Sequence, residues 1–167
     1  MEARADMSDE PVANLPQSPV VKPLSYRIVG ALYPRLLAGI YLLALLSWDT
    51  QWQGLVGSDG ILPLGEMMTN IQAVEERDGT SLFWQFPTLF HWHAHDGFVQ
   101  LIINIGLVLA VLVICGAAQG PLLLALWFLY LSLVVTGNVF MGFQWDALLL
   151  EAGLLAVFAA PWRFFTP

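Results

Sequence analysis

Hydrophobic and polar positions fall into long blocks along this chain instead of alternating residue by residue. Up to about residue 25 the chain is dominated by Pro, Ser, Ala and acidic residues, with Pro11, Pro16, Pro19 and Pro23. Such a stretch cannot bury a core, so residues 1–28 are expected to form a disordered tail. An apolar block follows, then a mixed stretch from 49 to 96, and from Gly97 to Trp145 no residue is charged. A continuous apolar run of about 18 or more residues reads as a transmembrane helix. The blocks predict four spans, near 29–48, 97–116, 121–140 and 146–162, in a helical domain covering 29–163. The fourth, at about 17 residues, is near the lower limit for crossing a bilayer. Gly120-Pro121 predicts a tight turn that makes spans two and three a hairpin. The fold class is therefore an all-α membrane protein with four transmembrane helices.

The 49–96 stretch has its own periodicity. Leu64, Met67, Met68, Ile71 and Val74 recur at three- and four-residue spacing, one apolar face of a helix. Beyond it FWQFPTLFHW gathers Phe83, Trp84, Phe86, Phe90 and Trp92, the kind of aromatic cluster that favours a membrane–water interface. A long extracytoplasmic loop carrying an interfacial helix, then a segment dipping toward the bilayer, is the expected arrangement.

Composition agrees with the pattern. The chain of 167 residues is 57% hydrophobic and 11% charged, with a mean hydropathy of +0.68; a soluble domain carries about 25% charged residues. The net charge of −7 is less informative than where the charges lie. Lys22 and Arg27 precede the first span and Arg163 follows the last, whereas Arg77 is the sole cation of the loop among seven acids. The positive-inside rule places both termini in the cytoplasm. Arg35 lies toward the inner end of span one and is expected to snorkel to that surface. No basic patch exists, which argues against nucleic acid as a partner. The start lacks the basic and apolar regions of a cleavable signal peptide. Cys115 is the single cysteine, so an intrachain disulfide is impossible.

Candidate chemistry concentrates in one layer. Glu151 sits among Leu149, Leu150, Leu154 and Leu155, where a carboxylate is costly. Entering from outside near Asp146, the fourth span carries Glu151 roughly 7–8 Å deep by helical rise. Gln100 and Asn104 share one face of the second span at similar depth, and Asn138 ends the third. Gln100, Asn104, Asn138, Asp146 and Glu151 would thus line a polar recess open to the outside. The alternative is that these groups bond between helices and hold the bundle together. His91, His93, His95 and Asp96 are weak candidates for a metal site, because an extended segment would put three alternate histidines on one face. An interface segment accommodates such polar residues without a metal, and none is assigned; no cofactor is expected. The glycine-rich stretch GLVGSDGILP, with Asp59, has no lysine and no phosphate-binding helix pattern, and reads as a structural turn.

GLVGSDGILP, FPTLFHWHAHD, and above all LWFLYLSLVVTGNVFMGFQWDALLLEAGLLAVFAAP resemble the lipase maturation factors. The resemblance covers about residues 30–163. In its membrane part that family is similar to the horizontally transferred transmembrane domain of vitamin K-dependent gamma-carboxylase. The resemblance implies a multi-pass protein of the endoplasmic reticulum membrane, or of a bacterial inner membrane, that assists folding or assembly of a secreted lipase. On it, Asp59, Gln144, Trp145, Asp146, Glu151 and Gly153 fall on motif positions. The family's usual Val-Gly-Gln is here Val135-Thr136-Gly137-Asn138, which keeps an amide with a shorter reach. Members of the family continue with further spans and a soluble domain, so the chain is expected to be a truncated or split member, with a second chain supplying the remainder. Three roles compete: a non-catalytic maturation scaffold with partners in membrane lipids and a lipase client; a membrane enzyme or transporter acting on a lipid-like substrate at the outer-leaflet recess around Glu151; and a structural remnant that needs a partner chain to fold.

Overall fold

The computed structural model describes residues 24–160 and 162, with side chains from residue 28 onward other than that of Asn138. Residues 1–23 of the expected 1–28 tail lie outside the described residues, whereas residues 24–28 begin the first helix. Six helices follow one another: α1 (Leu24–Asp49), α2 (Trp52–Val56), α3 (Leu64–Asp78), α4 (Asp96–Ile114), α5 (Gln119–Gly137) and α6 (Gln144–Ala159). Short 3-10 turns at Leu89–His91 and Asn138–Phe140 punctuate the connections, and no strand occurs among the described residues. Among the described residues three segments are long and apolar enough to cross a membrane: Ile28–Asp49, Asp96–Ile114 and Gln119–Gly137. α6 has 16 residues and is shorter than these.

The helices form a ring in which α1 packs on α4, α4 on α5, and α5 on α6, with α6 closing more loosely on α1. Tyr41, Leu45, Ile103, Leu123 and Leu126 fill the centre, fully buried. The same apolar core continues into the connection between α1 and α4 through Trp52, Leu64, Met68, Ile71 and Phe90. That connection is therefore a packed ledge on one end of the bundle.

Two expectations shift in detail. The α4–α5 turn falls at residues 115–118, not at Gly120-Pro121. Gly116 adopts φ 87°, the left-handed conformation glycine enters without a Cβ clash. Its N–H bonds Val113 O while Ala117 N–H bonds Leu112 O, closing α4 in the manner of a left-handed C-terminal cap. Gly120 and Pro121 then lie in the first turn of α5, where proline removes no helical hydrogen bond. On α3 the buried face is Leu64, Met68 and Ile71, whereas Val74 is exposed. Glu75 turns inward instead, and its carboxylate accepts the Leu82 N–H at 2.5 Å.

α6 is held to the bundle by donors aimed at its backbone. Tyr41 donates its hydroxyl to Leu149 O at 2.9 Å, Trp127 Nε1–H donates to Leu150 O at 2.8 Å, and the Tyr33 hydroxyl reaches Ala152 O at 3.4 Å. A Cβ on Gly153 would fall on the Tyr41 hydroxyl and within 3.1 Å of Trp127 Cδ1. Only glycine leaves room for both donors. Tyr41 is wholly buried and stacks edge-on against Tyr130 with centroids 5.1 Å apart, so it has no space to swing aside.

Gly153→Ala should therefore destabilise the bundle by about 1–3 kcal/mol, the cost of overpacking. Tyr41→Phe, which removes one hydrogen bond and keeps the ring, should cost about 0.5–1.5 kcal/mol. Unfolding in detergent micelles, followed by circular dichroism, measures both; a Gly153→Ala protein as stable as the parent would contradict the packing described.

Candidate functional site

Asp146 lies in the first turn of α6, where a carboxylate favours the positive end of the helix dipole. Its Oδ1 accepts the Tyr130 hydroxyl at 2.6 Å, a short bond of the charge-assisted kind. Tyr130 belongs to α5 and touches Tyr41 of α1, so Asp146 ends a relay linking three helices. It also lines a cleft of about 470 Å³ between α1 and α6, walled by Ile40, Leu43, Phe143 and Leu149, with Ser47 and Gln51 as further polar groups.

A second polar cluster joins α1, α2 and α4. Trp52 Nε1–H donates to Gln100 Oε1 at 3.1 Å, and Gln100 Nε2 donates to Asp49 Oδ1 at 2.7 Å and to Asn104 Oδ1 at 3.3 Å. One amide thus satisfies the buried indole of Trp52 and the carboxylate that ends α1. Asn104 stays exposed on the bundle's outer wall.

A third set ties the glycine-rich turn to α4. Asp96 accepts the Ser58 N–H at 3.0 Å and the Ser58 hydroxyl at 2.7 Å, across 38 residues of sequence. Asp59 is exposed in that turn.

Glu151 stands apart. It is exposed on the outer face of α6 and pairs with no described residue. With Gln144, Trp145 and Leu148 it lines a shallow recess of about 650 Å³. The recess residues expected from the sequence are thus distributed over three places: Gln100 bonds across to α1 with Asn104 one turn along on the exposed wall, Asp146 faces Tyr130, and Glu151 faces outward beside the motif residues Gln144 and Trp145. α4 and α6 sit opposite each other in the ring. The Asn138 side chain lies outside the described residues.

The histidines have separate tasks. His91 Nε2 lies 2.9 Å from Phe86 O, His95 Nδ1 accepts the Phe98 N–H at 3.0 Å as a cap on α4, and the His93 ring stacks on His95 and Phe98. Asp96 points to Ser58. Among the described residues no three His, Cys, Asp or Glu side chains converge as metal ligands would.

Tyr41, Tyr130, Trp52, Trp127 and Asp49 were not singled out by sequence reasoning, although phenols and indoles buried in apolar spans need polar partners. That requirement was the available signal; the identity of each partner was not.

Comparison with known proteins converges on one family. The lipase maturation factor transmembrane domain matches residues 28–167. Lipase maturation factor 2 of Xenopus tropicalis is 41% identical over 130 residues, which cover 75% of this chain and 18% of that protein. Lipase maturation factor 2 of Gallus gallus is 41% identical over 134 residues, 77% of this chain and 18% of that protein. Lipase maturation factor 1 of Homo sapiens is 35% identical over 130 residues, 75% of this chain and 23% of that protein. The chain spans about a fifth of the length of these relatives. No solved structure matches.

Removing the Asp146 carboxylate should leave the Tyr130 hydroxyl without its acceptor. Asp146→Ala is expected to cost about 1–3 kcal/mol, and Tyr130→Phe/Asp146→Ala together less than the sum of the single changes. Chemical unfolding of the four proteins in one detergent gives the coupling; strict additivity would show that the bond contributes nothing.

Proposed function

The chain belongs to the lipase maturation factor family, and from that premise we propose that it is a non-catalytic membrane scaffold assisting the folding or assembly of a secreted lipase. The family match and the apolar helices make it an integral membrane protein. In our reading α1, α4, α5 and α6 all cross the bilayer and both termini face the cytoplasm. The membrane is that of the endoplasmic reticulum or a bacterial inner membrane, and the ledge of α2, α3 and residues 79–95 lies on the side where a secreted client emerges. α6 is roughly 24 Å long at about 1.5 Å per residue, short of the ~30 Å hydrocarbon core. Exposed Phe143 and Trp145 at one end and Trp162 at the other extend its apolar reach, and a short span is accommodated by local thinning of the bilayer.

The observation that carries the reading is a groove of about 760 Å³ between α3 and the outer end of α5. Met67, Ile71, Val74, Leu82, Phe86 and Phe140 form its walls, and Glu66 and Asp78 stand among its lining residues. A solvated apolar groove on a membrane protein's outer ledge is a surface for another chain, and methionine adapts to varied partners. Trp84 and Trp92 project from the same ledge, 89% and 68% exposed.

Val74 lines the groove yet is exposed, so Val74→Glu changes the surface without opening the core. Co-expressed with a secreted lipase from the same source, the parent chain should raise the active yield several-fold over no partner, and Val74→Glu should return it toward baseline. Equal amounts of both forms in the membrane are the control. No rise with the parent chain would refute the scaffold reading. Loss of the rise with Glu151→Gln but not with Val74→Glu would instead place the working surface on α6 and not at the α3 groove.

A further inference from the structure

On α6, Leu148, Glu151, Leu155 and Phe158 follow one another at three- and four-residue spacing, which is a single helix face. All four are exposed, Leu148 at 62%, Leu155 at 68% and Phe158 at 78%. α6 sits at the edge of the bundle, packed mainly on α5, and leaves this face uncovered. Large apolar side chains alone would suit lipid. The carboxylate in their midst does not, for lipid tails offer it no donor. Glu151 is in no hydrogen bond or ion pair with a described residue.

We infer that this face is the docking seam for a transmembrane helix from outside residues 1–167 that carries an arginine or lysine opposite Glu151. The inference rests on the reading that α6 crosses the bilayer. The occupant is a helix because backbone polar groups within hydrocarbon must be satisfied internally. It is cationic because Glu151 is the one polar group on the seam from Leu148 to Phe158. A second copy of this chain is disfavoured: a two-fold axis along the membrane normal would set Glu151 against Glu151, a like-charge contact. A lipid headgroup is disfavoured by depth, since Glu151 is seven residues, roughly 10 Å, along α6 from Gln144.

The test uses a defined probe. The full chain with Cys115→Ser and Leu148→Cys is co-expressed with a leucine-rich helix of about 20 residues bearing one arginine in its outer third and a cysteine one turn away. A second probe lacks the arginine. Oxidative crosslinking is expected with the arginine probe, and should fall about tenfold, equivalent to 1.4 kcal/mol, with the all-leucine probe or with Glu151→Gln. Equal crosslinking to both probes, or none to either, overturns the inference. Self-crosslinking of the Leu148→Cys chain also overturns it, in favour of a homodimer. In parallel, Phe158→Cys is challenged with a membrane-impermeant maleimide from both sides. Protection without crosslinking sinks the seam alone; labelling from the outer side places α6 outside the bilayer and sinks the four-span reading with it.

Discussion

The position of α6 is set by side-chain donors aimed at its backbone. Within a bilayer, helices gain no hydrophobic advantage from touching each other instead of lipid, so close packing and hydrogen bonds between helices must hold the bundle. Tyr41 and Trp127, from α1 and α5, bond consecutive carbonyls of α6 at Leu149 and Leu150. Gly153 is the complement that lets both side chains in. Once this turn of α6 is fixed, the rest follows. Asp146 comes to rest under Tyr130, the cleft against α1 opens beside it, and Glu151 is rotated outward.

Four acids on α1, α4 and α6 fall into two kinds. Asp49, Asp96 and Asp146 are each taken up by donors from another element, and each bond ties parts distant in sequence. These groups are structural connectors whose charge is met locally. Glu151 has no such connection among the described residues. Cost estimates for a carboxylate at the centre of a membrane helix begin at about 2.5–3.5 kcal/mol, comparable with the gain from several interhelical hydrogen bonds at ~0.6 kcal/mol each. On the proposed reading that α6 crosses the bilayer, a partner group opposite Glu151 would offset an expense of that size.

Much of the fold could be read from the apolar blocks. The three long spans came within a few residues of α1, α4 and α5, because a run of uncharged residues in Gly97–Trp145 leaves few alternatives. The helix at Leu64–Asp78 was visible in its three- and four-residue spacing. The α4–α5 turn was misplaced because Gly-Pro serves a first helical turn as readily as a loop, and only the backbone shows that Gly116 carries the positive φ. The site was less legible. Depth arithmetic put Gln100 and Glu151 in one layer, but helical rise says nothing about which way a face points around a ring. Asn104 could be paired with Gln100 from spacing alone. Asp146 with Tyr130 could not, for sixteen residues and a chain reversal separate them.

The anchoring of the ledge has an entropic side. Its start is fixed by Trp52 and Asp49 on Gln100, its glycine-rich turn by Ser58 on Asp96, and its far end by Thr88 and Leu89 on Ser132 of α5. A free segment of that length would lose on the order of 1–2 kcal/mol per residue of backbone freedom on being ordered. Here the ordering is accomplished when the bundle folds. A partner meeting the groove would find it preorganised, and its binding energy would not be spent on arranging the surface. On the scaffold reading proposed above, weak and brief contacts with a client would then suffice, which suits a surface that must also let go.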